Sequence, residues 1–557
     1  MKKTTIFLAL LLGSSLTTSA FAQKQVASKA DAFLAPKLSA ARPSTTGWTA
    51  VILKIDGALT PEREAQLTAL GGDITRRLAF IGSVSLRVPS RNLAKLAALP
   101  FVARLSADVA VKKNDEFITQ HTGADVAWSS YGVQGTGVGV AVLDSGIELV
   151  NDVKTQIKVS VRFGTGTAID DDCGHGTHVA GIIAGNGASS TGAGYFRTFY
   201  GVAPKANLVN VTVLNQYGQG TVTNVLSGLQ WCITNKARYN IRVLNLSLGH
   251  PVGESYTTDP LCQAVEAAYR AGIVVVCAAG NNGRLNATQT AGMGNEGWGT
   301  AYGSIQSPGN DPYVITVGAV KNTNGNRVYD RIATYSGRGP SRLDFIMKPD
   351  IVAPGNRVIS TMKDGTYLDN TARATNQVMQ SEYKTGTTSI SDRYFYLSGT
   401  SMAAPVVAGA AALLLQKYPT LTPDSVKARL MISADKWMTP SGGWDVTAYG
   451  AGYLNIPAAL ASTAVATKPA TSPSLYRDTA GNVLVNGNQI LWGTQVIWGV
   501  NGVNNLQVIW GNQVIWGTQV IWGSQVIWGS ATWTDQVIWG TGSSTVDLTS
   551  KVITGEN

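Results

Sequence analysis

Residues 399–405 read GTSMAAP, and this stretch decides how the chain can fold. It leads directly into an apolar run, Met402 to Leu415, that is rich in Ala, Val and Leu. The run is too short for a membrane span and predicts a buried helix. Ser401 then lies at a helix N-terminus, beside unpaired backbone N–H groups and the positive end of the helix dipole. A serine in this place is either an N-cap or a nucleophile whose oxyanion those N–H groups stabilise.

The composition bounds the class of protein. The chain has 557 residues, which is enough for two or three domains. It is 44% hydrophobic and carries a net charge of +10. The basic excess is spread without a Lys/Arg block, which argues against a nucleic-acid partner. Lys2 and Lys3, the apolar run Ile6–Leu12 and the small-residue pattern Ala20–Ala22 predict a signal peptide over 1–22 and a secreted, extracellular protein. No later stretch has the roughly 18 consecutive apolar residues of a span, so we expect no transmembrane segment in the mature chain.

Four cysteines, at positions 173, 232, 262 and 277, allow one or two disulfides in an exported protein. A pairing of Cys232 with Cys262 is a guess from the two neighbouring helices that carry them. Cys277 lies in an apolar run and is expected to be a buried, small hydrophobic side chain. The chain has no Cys-x-x-Cys pair, which argues against a zinc site.

Residues 48–106 predict a small, separate α+β unit. A strand is followed by a helix with Thr60 as its cap and Pro61 at its first position, and then by two short strands. Ser90 caps a second helix, and a last strand ends the unit. The order strand-helix-strand-strand-helix-strand is that of a ferredoxin-like fold.

From about Thr122 the pattern changes to apolar strands that alternate with helices, which predicts an α/β fold with a parallel sheet covered on both faces. Such sheets bind ligands at the carboxyl ends of their strands, and Asp144, Ser247 and Asn281 fall at such ends. The predicted strands are 139–143, 208–213, 243–246 and 273–279, and the predicted helices are 175–184, 222–234 and 260–271.

Acyl transfer by a serine needs a base for the hydroxyl proton and an acid that holds the base in one tautomer. The chain has four histidines. His175 and His178 lie in CGHGTHVAG, residues 173–181, at the start of a predicted helix between glycines that permit close backbone approach. The pair could also indicate a metal site, but no third ligand motif accompanies it. His121 and His250 lie in loop-like stretches.

Two polar residues complete the set. Asp144 ends a buried strand, where a carboxylate is either catalytic or a cap for the following turn. Asn281 ends the motif AAGN, where it is either a turn residue or an amide donor to an oxyanion.

Together these motifs resemble the subtilisin-like serine proteases, over about residues 122–461 and in the order Asp, His, Asn, Ser. The resemblance implies that Ser401 is the nucleophile, His175 the general base and Asp144 the residue that orients it. Asn281 and the Ser401 N–H then form the oxyanion hole. The resemblance also implies a substrate-binding set: Ser247, Leu248 and Gly249 on one side, with Ala278, Ala279 and Gly280 opposite. Because these walls are small, we expect a large apolar or aromatic side chain before the scissile bond.

The resemblance further implies a domain plan. Residues 23–115 are expected to be an inhibitory propeptide, and residues 116–462 the peptidase domain of a self-processed zymogen that hydrolyses proteins or peptides. The chemistry requires no cofactor. The family often binds calcium, but Gly185–Tyr200 departs from its calcium-loop pattern, so the ligands of a structural calcium stay unknown.

Beyond an Ala/Thr/Pro/Ser-rich linker at 463–475, residues 476–545 hold a repeat, and 546–557 form a tail. The unit Gln-Val-Ile-Trp-Gly, or a close variant, occurs seven times, mostly at a step of six residues. An even step keeps strand alternation in phase, which predicts a β-solenoid or stacked ribbon with Trp aligned on Trp. The repeat is expected to self-associate or to attach the enzyme to the cell surface; a disordered tail is the alternative.

Two other functions stay open. The serine-carboxyl proteases share a Gly-Thr-Ser motif but use Glu as base and Asp where Asn281 stands, and the His175 motif speaks against them. The other alternative is a surface-assembly or binding protein with an inactive protease fold.

Overall fold

The computed structural model describes residues 29–30, 34, 38, 47–108, 117–164, 170–285, 299–322, 326–387, 389–436, 445–477, 483–486, 507–510, 513–516 and 545–547. The predicted signal peptide, the predicted propeptide end at 115 and most of the repeats lie outside these residues. The chain divides into two units, residues 1–112 and 113–557, which are described separately.

The first unit is an antiparallel sheet with two helices. Thr60 Oγ1 accepts a hydrogen bond from Arg63 N, and Pro61 follows it, so the first helix begins where the sequence predicts. Val51, Leu53 and Ile55 alternate into the core of the sheet, whose strand order is β2-β3-β1-β4. The predicted order of elements is therefore present. Its elements are β1 Trp48–Ile55, α1 Pro61–Ala69, β2 Asp73–Leu78, β3 Ser83–Pro89, α2 Leu93–Ala97 and β4 Val102–Ala107.

The second unit is built around one large sheet. Its strand order is β12-β11-β10-β9-β5-β7-β6, with β13 pairing β11, and every pair is parallel except β11 with β12. Strands of this unit up to residue 397, including those outside the large sheet, are β5 Gly139–Asp144, β6 Ile157–Arg162, β7 Asn207–Thr212, β8 Gln219–Thr221, β9 Ile241–Leu246, β10 Val274–Ala278, β11 Ile315–Lys321, β12 Arg331–Ile332, β13 Ile351–Pro354, β14 Val358–Thr361, β15 Gln377–Met379 and β16 Ile390–Leu397.

Helices cover both faces of this sheet. Along β5, Val142 belongs to one core cluster and Leu143 to the other, because successive side chains point to opposite faces. This confirms the predicted α/β class. The helices are α3 Phe117–Thr122, α4 Ala124–Tyr131, α5 His175–Ala184, α6 Val222–Thr234, α7 Lys236–Tyr239, α8 Pro260–Arg270, α9 Tyr367–Asn376, α10 Thr400–Lys417, α11 Pro423–Ile432, α12 Val446–Tyr449 and α13 Ile456–Ala461.

Helix α10 is the central helix of the unit. Its 18 residues make it longer than the predicted apolar run, and in length and composition it could cross a membrane. It is 89% buried, however, and packs against α5 and against strands β9, β10 and β11. A Cβ at Gly409 would lie 2.6 Å from Val202 Cβ, so the glycine permits close helix packing. Helix α10 is therefore a core helix, as the sequence predicts.

Residues 463–475, predicted to be a linker, make backbone hydrogen bonds with other parts of the second unit. Met347 N donates to Pro473 O, Ser472 N donates to Pro312 O, and Leu475 is buried. These backbone hydrogen bonds give the segment fixed partners. It continues into a hairpin of β17 Ser474–Arg477 and β18 Val483–Asn486.

Two repeat units are described as strands, β19 Gln507–Trp510 and β20 Gln513–Trp516. They pair antiparallel, with Gln507 opposite Trp516, so these two units do not align Trp on Trp as the solenoid hypothesis expects. A further strand, β21 Thr545–Asp547, pairs with β8.

Candidate active site

Asp144 and His175 meet at the carboxyl edge of the large sheet. Asp144 ends β5, His175 begins α5, and both are buried. His175 Nδ1 donates to Asp144 Oδ1 at 2.7 Å, which leaves Nε2 as the basic nitrogen of a neutral ring. In the part of the chain that the structure describes, this buried Nε2 has no hydrogen-bond partner. The arrangement is that of a base held in one tautomer by a carboxylate.

A second carboxylate, that of Asp171, is hydrogen-bonded to residues adjacent to Asp144 and His175. Ser145 Oγ donates to Asp171 Oδ1 at 2.8 Å and lies 3.2 Å from Asp144 Oδ1. Asp171 also accepts from Gly174 N and from both Thr177 N and Thr177 Oγ1. Burial raises the pKa of Asp171, and these hydrogen bonds counteract part of that rise. Sequence reasoning missed this network, although residues 170–172 are an acidic run just before the CGH motif.

Ser401 is the second residue of α10 and is buried. Pro405 has no N–H to donate to the Ser401 carbonyl four residues earlier, and Ser247 Oγ donates to that oxygen instead, at 2.8 Å. Ser401 Oγ in turn donates to Ser247 O at 3.0 Å. The end of β9 is thus bonded to the first turn of α10.

Asn281 lies next to this turn. Its Oδ1 accepts from Thr400 N and from Thr400 Oγ1, both at 2.9 Å, which orients Nδ2 away from Thr400. A Cβ at Gly399 would lie 3.2 Å from Asn281 Nδ2 and 3.6 Å from Ser401 N. The space beside these two donors is open because residue 399 is glycine. Asn281 therefore lies where an amide donor and a helix N-terminal N–H can serve one oxygen.

The six predicted substrate-binding residues follow two neighbouring strands. Ser247, Leu248 and Gly249 continue from β9, and Ala278, Ala279 and Gly280 end and follow β10. Gly280 N donates to Thr400 Oγ1 at 3.1 Å, which holds the second segment against α10. The structure therefore brings all ten predicted site residues to the carboxyl edge of the sheet.

The other histidines have structural partners. His178 Nε2 donates to Val358 O and Phe395 O, and burial lowers the pKa of His178 to about 3. His178 Nε2 therefore serves to join α5 to two backbone carbonyls. His121, expected in a loop, lies in α3 and contacts Asp330. Within the described ranges, no group of three or more His, Cys, Asp or Glu side chains could hold a metal ion.

The predicted pairing of Cys232 with Cys262 is wrong. All four cysteines are free and buried. Helices α6 and α8 do pack together, but Cys262 Sγ points to Ser307 Oγ and Asn310 Oδ1. Burial raises the pKa of each thiol. Cys277 is fully buried, as predicted.

Comparison with known proteins agrees with this geometry. Residues 135–468 match the model of the subtilase family, peptidase S8. The serine protease AprX of Bacillus subtilis is 39% identical over 332 residues, which cover 58% of this chain and 65% of that protease. Subtilisin DY of Bacillus licheniformis is 36% identical over 331 residues, or 59% of this chain and 92% of that protein. Subtilisin E of Bacillus subtilis is 32% identical over 392 residues, or 70% and 83% of the two chains.

Proposed function

Because this chain belongs to the subtilase family of serine endopeptidases, we propose that it hydrolyses peptide bonds in proteins through an acyl-enzyme formed on Ser401. The 2.7 Å hydrogen bond between His175 Nδ1 and Asp144 Oδ1 carries this proposal, since it leaves His175 Nε2 as the base. Helix α5, which begins with His175, packs against α10, which carries Ser401. The base and the hydroxyl thus belong to two helices in direct contact.

The proposed mechanism assigns each step to a group of the site. Ser401 Oγ leaves the Ser247 carbonyl, gives its proton to His175 Nε2 and attacks the substrate carbonyl carbon. Asn281 Nδ2 and Ser401 N donate to the oxygen that becomes negative. The imidazolium, stabilised by Asp144, returns the proton to the leaving amine. Water then hydrolyses the acyl-enzyme by the same route, so the chain's own groups suffice for the chemistry.

We also propose that the protein is a secreted zymogen. The signal peptide predicted at residues 1–22 supports export. The unit of β1–β4 precedes the peptidase domain in the chain, and its order of elements supports an inhibitory propeptide that the enzyme removes itself. The repeat tail is proposed to mediate self-association or surface attachment. Structural calcium stays without assigned ligands.

A Ser401→Ala variant tests the proposal. It should lose peptide hydrolysis and accumulate with residues 48–106 still attached, because no nucleophile is left to cleave the precursor. Ser227→Ala, which alters a partly exposed serine of α6, is the matched control and should mature normally. Normal maturation and activity of Ser401→Ala would contradict the proposal, and an inactive wild-type chain would favour a binding protein with a protease fold.

A further inference from the structure

The short strand β8 lies close to the proposed catalytic pair, at the carboxyl edge of the large sheet. Val213 N and Leu214 N, which follow β7, donate to Asp144 O at 2.8 and 3.2 Å. Asn215 N then donates to Gln219 O at 2.7 Å, and the Asn215 side chain accepts from Gln219 N at 3.0 Å. The first residue of β8 is therefore joined to the backbone of Asp144 through a few successive hydrogen bonds.

A second contact joins the loop before β8 to the segment that leads into His175. The ring of Tyr217 meets the ring of Tyr367 edge-on, with the two centroids 5.3 Å apart. Tyr367 N in turn donates to Asp172 O at 2.8 Å, three residues before His175. Strand β8 is thus fixed at the rim of the site by contacts to the segments that carry both members of the pair.

The C-terminal strand β21 occupies the edge of β8. Within the described part of the chain, β8 pairs with β21 alone, and the two form a sheet of their own. They pair antiparallel, with Thr545 opposite Thr221, Val546 opposite Gly220 and Asp547 opposite Gln219. A strand edge presents a row of N–H and C=O groups, and an extended peptide binds such an edge by adding a strand. At the rim of the site, the chain's own C-terminal segment is therefore bound as an added strand.

We propose that residues 545–547 are an intramolecular competitor, which occupies the backbone groups of β8 and so weakens the binding of extended substrates. The inference rests on the proposed protease function and assigns a regulatory role to the segment that follows the repeats. Since one edge cannot pair with two strands, a long substrate binds along β8 only while β21 is detached. The apparent affinity for that substrate falls with the detached fraction. Loss of the segment therefore activates the enzyme towards extended peptides.

The experiment measures kcat and KM of the mature enzyme on a long and a short substrate. The long one is a peptide with about five residues before the cleaved bond, and the short one is an ester of a single acetylated amino acid, which cannot add a strand. A stop codon after Ser544 removes β21, and a stop after Leu548 is the matched control that keeps it. The shorter chain should have a KM for the peptide that is lower by roughly threefold or more, because the edge is then always free. Its kcat, and its KM for the ester, should equal those of the control, and intact mass verifies each C-terminus.

Val546→Pro tests the pairing without shortening the chain. Proline has no backbone N–H and is poorly tolerated in a paired strand, so this variant should have the lower peptide KM of the chain that ends at Ser544. Val546→Ala keeps the N–H and should behave as wild type.

An equal peptide KM in the chains with and without β21 would overturn the proposal. A matching fall in KM for the ester would also overturn it, because the effect would then not depend on strand addition. If no chain hydrolyses either substrate, the proposed protease function is contradicted instead, so the two failures are distinguishable.

Discussion

At the scale of single residues, the site depends on a glycine, which leaves space, as well as on the side chains that carry the chemistry. Gly399 has a φ of 152°, and its missing Cβ leaves open the space beside Asn281 Nδ2 and Ser401 N. A side chain at residue 399 would therefore lie close to both proposed oxyanion donors. Thr400 contributes by holding Asn281 Oδ1, which determines the direction of the amide.

We predict that Gly399→Ala lowers kcat by at least roughly 10²-fold, because the methyl group would occupy the place of the oxyanion; subtilisin provides that scale for the loss of one donor. The reason is steric and local, so KM for a peptide should change far less than kcat. Gly365→Ala is the control: it too has a positive φ, but no atom within 4 Å of its Cβ position. A Gly399→Ala enzyme with normal kcat would show that the oxygen lies elsewhere.

Asp311 makes stability depend on pH. Its Oδ1 accepts from Tyr313 N, its Oδ2 has no partner within the described residues, and burial raises its pKa to about 7. The folded state therefore holds the proton more tightly than the unfolded state does. Stability from this group is present below the unfolded pKa of about 3.9. It is lost as the pH rises towards 7.

Asp311→Asn should remove this dependence. We expect the variant to be more stable than its parent at pH 8, by at most about 4 kcal/mol for a shift of some three pKa units, and the difference to vanish near pH 4. Urea unfolding in a Ser401→Ala background, which prevents autolysis, measures the effect. Asp392→Asn, at an exposed carboxylate, is the control. Parallel pH profiles for parent and Asp311→Asn would contradict the account.

At the scale of elements, the segment of residues 463–475 behaves as part of the peptidase domain. Ser472 Oγ donates to Asp350 Oδ1, and the buried Lys427 Nζ donates to Ser472 Oγ at 3.0 Å. Lys348 Nζ completes the cluster by donating to Asp350 Oδ2 at 2.7 Å. Removing the segment would expose these charged groups to water or leave them without a hydrogen-bond partner. A buried polar group without a partner lowers the free energy of unfolding by about 1–3 kcal/mol, and by more when it is charged.

A stop codon after Ala461 should therefore give a protein that is poorly soluble or inactive, while a stop after Asn486 should keep soluble peptidase activity. The longer chain retains the segment and the β17–β18 hairpin but lacks the repeats. Secreted yield, melting temperature and peptide hydrolysis distinguish the two. Equal stability of both truncations would mean that the segment is a linker after all.

At the scale of the whole molecule, the sequence predicts the strands and helices whose positions follow from hydrophobic periodicity and from the residues at their ends. Asp144, Ser247 and Asn281 each end or follow an apolar strand in the sequence. Because parallel strands align their carboxyl ends, this pattern predicts that the three residues lie at one edge of the sheet. Helix α5 has the predicted bounds, 175–184. The family resemblance supplied the roles of the site residues, and the structure supplied their contacts.

What the sequence could not predict depends on contacts between distant segments. Gln306 lies beside Gly249 and Gly280 only after residues 306–307 bridge two strands, and nothing in its neighbours signals this. The Ser145–Asp171 bond and the Ser472–Asp350 bond likewise join segments 26 and 122 residues apart. The composition of 463–475 predicts a linker but not its partners, because those partners lie far away in the sequence.

The central claim is that three segments, ending in Asp144, beginning with His175 and carrying Ser401, form one nucleophilic centre. A fluorophosphonate probe tests it most directly, because the probe reacts only with a serine that has a base and an oxyanion hole. Tandem mass spectrometry should find a single adduct on Ser401 within the tryptic peptide Tyr394–Lys417, with none on Ser398 of the same peptide. Labelling should be lost in His175→Ala. An unlabelled protein, or an adduct on another residue, would contradict the account.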